Sequence, residues 1–134
     1  MSQTRQSEYA FDERLPLEPV PAGTSLLVTG PSLGGTRELV MGLLGCRSGE
    51  GLVLVTTDLG GDAAIDVLEA GGCGYDTSRM AVVDCTAEGG EDRDRNVHAV
   101  SGPGDLTGIG IAFSSLYEQL HEGGVERVRT VVES

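Results

Sequence analysis

The chain has no lysine and no tryptophan, and its 134 residues include only three tyrosines, two phenylalanines and two histidines. Scattered arginines and sparse aromatics argue against a nucleic-acid binder, which needs a clustered basic face with stacking rings. The three cysteines, Cys46, Cys73 and Cys85, form no Cys-x-x-Cys pair, so neither a disulfide framework nor a zinc site is indicated. Each reads as a small buried hydrophobe. No apolar run approaches the roughly 18 residues of a membrane span, and the polar opening MSQTRQSEYAFDERL lacks the hydrophobic core of an export signal. These absences predict a soluble cytoplasmic protein with no membrane and no nucleic-acid partner.

What the chain has is acid. Twenty-one aspartates and glutamates stand against nine arginines, for a net charge of -12. Such a surface repels itself at low salt, whereas near 1 M the screening length shrinks to about 3 Å and the penalty disappears. The composition therefore points to a salt-loving cell. The domain is expected to melt at progressively lower temperature as salt falls from molar to tens of millimolar. Equal melting temperatures across that range would remove the salt-adaptation reading.

The length suits a single core. Residues 1–24 carry Pro16, Pro19 and Pro21 without periodicity and read as an irregular lead-in, touching the core at most through Leu15, Leu17 and Val20. The domain proper spans 25–134. Residues 25–29 (SLLVT) read as a buried strand closed by Gly30-Pro31; Leu39, Val40, Leu43 and Leu44 recur at helical spacing up to Gly45; residues 52–57 (LVLVTT) form a second strand. Strand, helix and strand make a βαβ unit, and continuous rather than alternating strands agree with a parallel sheet covered on both faces. Asp62 then caps a helix with Ile65 and Leu68 inward, Gly71-Gly72 stop it, and residues 80–85 (MAVVDC) are a third strand. Residues 86–104 are charged and glycine-rich and read as a solvated loop, with Arg93 and Arg95 among its acids and His98 within it. Ile109, Ala112, Phe113, Leu116, Tyr117 and Leu120 follow the cleanest amphipathic spacing, Gly123-Gly124 end that helix, and residues 127–132 (RVRTVV) are a fourth strand. The fold class is α/β, a parallel sheet of four strands flanked by three helices.

Ligands in such sheets collect where strands end at their carboxyl edge. The first such loop is Gly30, Pro31, Ser32, Leu33, Gly34, Gly35, Thr36 and Arg37, a Gly-x-x-x-x-Gly frame between a strand and a helix, as an anion cradle requires. A working phosphate loop then has lysine and Ser or Thr; Thr36 and Arg37 stand there instead. Losing one charge-assisted hydrogen bond, worth about 1.5–3 kcal/mol, weakens nucleotide binding roughly 10- to 150-fold. A guanidinium also has no lone pair for Mg²⁺. Gly108-x-Gly110 lacks a preceding strand and has Phe113 where a dinucleotide fingerprint has its third glycine. His98 and His121 have no metal-ligand neighbours in the sequence.

The stretches GTSLLVTGPSLGGTRELVMGLL, LVLVTTD, SGPGDLTGIGIAFSSLYEQL and RVRTVVES make the chain similar to the KaiC-like branch of the RecA-type P-loop ATPases, and most of all to degenerate haloarchaeal versions. The resemblance covers about residues 22–134. It implies a partial RecA-like core, a phosphate loop at Gly30 to Arg37, a catalytic carboxylate at Asp58 after the second strand, and a metal-orienting carboxylate at Glu133. It implies ATP, weakly held, and Mg²⁺ as cofactors, and a core incomplete at the C-terminus, hence a protein partner or a second copy. Plain alternatives stand beside each residue: Gly34-Gly35 and Asp58 also suit ligand-free turns, and Glu133 a solvated carboxylate. The functional expectation is a regulatory module with weak or no ATP hydrolysis. The alternative is an active ATPase completed by a neighbouring subunit. A receiver-like phosphoacceptor fares worst, because Gly30-Pro31 replaces the acidic cluster it needs.

Overall fold

The computed structural model describes residues 8–11, 15, 17–29, 49–70, 74–86 and 90–133. The chain divides into two compact units, Met1–Gly45 and Cys46–Ser134. The phosphate-loop candidates Gly30 to Arg37, the helix expected around Leu39 to Leu44, Cys46, Cys73 and the Gly71-Gly72 stop lie outside the described residues.

In the first unit, β1 (Glu8–Tyr9) pairs antiparallel with β2 (Val20–Pro21), with Tyr9 opposite Val20. The lead-in therefore contains a short ribbon rather than only irregular chain. The strand expected at residues 25–29 is corrected: these residues lie outside any strand, and Leu27 is 90% exposed. A β-rich apolar run becomes a strand through a ladder neighbour and a packing face, not through propensity alone, and among the described residues this run has no ladder neighbour.

The second unit holds β3 (Glu50–Thr56), α1 (Gly61–Ala70), β4 (Met80–Asp84), β5 (Val97–Ala99), α2 (Leu106–Glu122) and β6 (Arg127–Glu133). Its four strands form one sheet in the order β5-β4-β3-β6, every pair parallel. The two central strands are buried along their whole length, which explains their unbroken apolar sequence. Val53, Val55, Ala81 and Val83 pack on one face with Leu116 and Leu120 of α2 and with Val125. By alternation Leu52, Leu54, Met80, Val82 and Asp84 point to the other face. There α1 starts against Asp84 and buries Ala64, Ile65 and Leu68. No helix among the described residues is long and apolar enough to cross a membrane.

The expected four parallel strands are present, but one member differs. Strand β5 comes from the segment read as a solvated loop, and it places His98 in a strand. Asn96, at a left-handed φ of 60°, closes a turn in which Asp92 and Val97 exchange backbone hydrogen bonds. Its buried amide donates to the carbonyls of Met80 and Thr77, which ties the start of β5 to β4. Val97 is buried over Gly61, where a Cβ would lie 2.5 Å from a Val97 methyl. A three-residue strand among charges carries no periodic signal, so only its packing reveals it. The helix-cap reading of Asp62 is corrected too. Helix α1 begins at Gly61, whose N–H is accepted by Asp84 of β4, while Asp62 pairs with Arg95 at 2.8 Å.

Helix α2 matches its predicted pattern. Asp105 caps it by accepting the Gly108 N–H, and Gly123 and Gly124, the latter at φ +105°, end it. Gly108 and Gly110 lie inside the helix. At the amino edge of the sheet, Glu50 is fully buried and accepts hydrogen bonds from Arg127 at 3.1 Å and Arg129 at 2.9 Å. These arginines alternate along β6 on the face that Glu50 shares, as the register Glu50 opposite Arg127 requires.

Candidate functional site

From β3 the chain steps outward to β4 and β5, and α2 then carries it back across β4 and β3 to β6 on the far side of β3. The strand order reverses between β3 and β6, and such a switch point opens a crevice at the carboxyl ends of the strands. Asp58 follows β3 by two residues and Glu133 is the last residue of β6. The two carboxylates singled out in the sequence thus belong to neighbouring strand ends.

The backbone there is closely tied. The Thr57 N–H and hydroxyl both donate to the Glu133 carbonyl, at 3.0 and 3.1 Å. The Thr56 hydroxyl accepts the Leu59 N–H and faces two acceptors, the Leu59 carbonyl at 2.9 Å and Glu133 Oε2 at 3.4 Å. It has one proton, so the shorter contact takes it and the Glu133 carboxylate is only loosely held from that side. Asp58 is exposed at the tip of this turn.

A third carboxylate at the same edge, Asp84, escaped the sequence reading. It is buried, and its oxygens accept from the Gly61 N–H at 2.9 Å, the Thr86 N–H at 2.9 Å and the Thr86 hydroxyl at 2.6 Å. Burial pushes its pKa up, but the hydrogen bonds from Thr86 and Gly61 outweigh that and hold it below the ordinary carboxylate range. Its role is to latch the turn carrying Asp58 to the end of β4. The available signal was an aspartate closing an apolar strand two residues before a threonine, the pattern of an Asx turn.

A groove of about 560 Å³ runs between β5 and α2, lined by His98, Ser101, Asp105, Ile111 and Ser115 among others. Much of its polarity is spent internally. Ser101 donates to Asp105, Asp105 also caps α2, and Glu91 pairs with Arg93 at 3.3 Å. Burial lowers the His98 pKa, with Glu91 opposing and Arg93 adding to that effect.

Among the described residues no three histidines, cysteines, aspartates or glutamates gather as a metal site. The phosphate-loop candidates Gly30 to Arg37 lie outside the described residues. No curated protein and no solved structure matches the chain. A family of unknown function, DUF7504, matches residues 23–134, and the chain belongs to that family.

Proposed function

We propose that the chain is a degenerate nucleotide-fold module of the RecA/KaiC type that acts through protein contacts and hydrolyses ATP weakly or not at all. The observation that supports this reading is the placement of Asp58 and Glu133 at the carboxyl ends of the neighbouring strands β3 and β6, at the switch point of a parallel sheet, where a nucleotide site of this type would have its carboxylates. The loss of activity follows from charge. The chain has no lysine, and each of the five described arginines is already paired: Arg79 with Asp76, Arg93 with Glu91, Arg95 with Asp62, and Arg127 and Arg129 with Glu50. A triphosphate entering an edge that carries Asp58, Asp84 and Glu133 meets like charge, and electrostatic stabilisation of a phosphoryl transition state needs the opposite.

The test is ATP turnover, together with the melting-temperature shift given by ATP or ADP in molar salt with and without Mg²⁺. The wild-type chain is expected to show no Mg²⁺-dependent turnover above background. The double change Thr36→Lys with Arg37→Thr restores the usual phosphate and metal partners and is expected to raise ATP affinity about tenfold or more. Sustained turnover by the wild type removes the regulatory reading, and unchanged affinity in the double variant reduces Gly30 to Arg37 to a plain turn.

A further inference from the structure

We draw no further inference here: the strongest candidate, the groove between β5 and α2 lined by His98, Ile111 and Ser115, has its two carboxylates, Glu91 and Asp105, engaged by Arg93 and by Ser101 and Gly108, and nothing in the structure shows what covers it.

Discussion

Replacing Glu50 with alanine is expected to destabilise the Cys46–Ser134 unit by about 3–5 kcal/mol, seen as a lower urea midpoint at constant molar salt. The Glu50 side chain is fully buried at the start of β3, and the change removes a buried carboxylate that pairs with Arg129, 7% exposed, and with Arg127, 25% exposed. A buried charge that loses a charged partner cannot recover its hydration in a low-dielectric interior, so breaking such a cluster costs more than the intact cluster contributes. The burial difference ranks the partners: Arg129→Ala should cost more than Arg127→Ala, because water already reaches part of Arg127. Glu50→Gln keeps an acceptor and should fall between wild type and alanine. A loss below about 1 kcal/mol for Glu50→Ala would mean that water solvates the arginines once the carboxylate is gone.

Asp84→Ala is expected to cost about 2–4 kcal/mol, because it removes the carboxylate to which two backbone N–H groups and a hydroxyl donate at a buried strand end. The same latch predicts a pH dependence with a definite sign. The folded-state pKa of Asp84 is lowered, so its contribution is fully present above the unfolded carboxylate value of about 3.9 and is lost as pH falls through the lower folded value. The stability gap between wild type and Asp84→Asn should therefore be constant above about pH 4 and narrow below it. A gap that stays constant or widens in acid would show that the carboxylate charge is not what the Gly61 and Thr86 donors recognise. Because Gly61 begins α1 and the turn before it carries Asp58, the substitution should also loosen the switch-point edge, read as faster amide exchange at Leu59 and Gly61.

Much of the second unit was legible in the residue order. LVLVTT and MAVVDC are continuous apolar runs because both faces of a central parallel strand are covered, and the chain alone reports that. The α2 pattern was readable for the same reason: burial on one side of a helix leaves a 3.6-residue period, and Leu116 and Leu120 lie where that period puts them. Asp58 and Glu133 were legible as residues at strand ends, since position after an apolar run is a local property.

Tertiary structure decided what depends on neighbours distant in sequence. SLLVT has the composition of a strand and is not one, whereas VHA lacks that composition and is one, because Asn96 anchors it to β4 and Val97 fills the space over Gly61. Asp62 has the chemistry of a cap, yet Asp84, from the next strand, supplies the acceptor. Nothing in the RVRTVV run marks Arg127 and Arg129 as partners of Glu50; the β3–β6 register sets them against it. By itself the sequence determined the fold class, the strongly acidic composition and the periodic elements, all of which follow from composition and short-range spacing. Which strands join the sheet, where the order reverses and which charges are buried were decided only in three dimensions, because burial and hydrogen-bond partnership belong to pairs of residues that the chain keeps far apart.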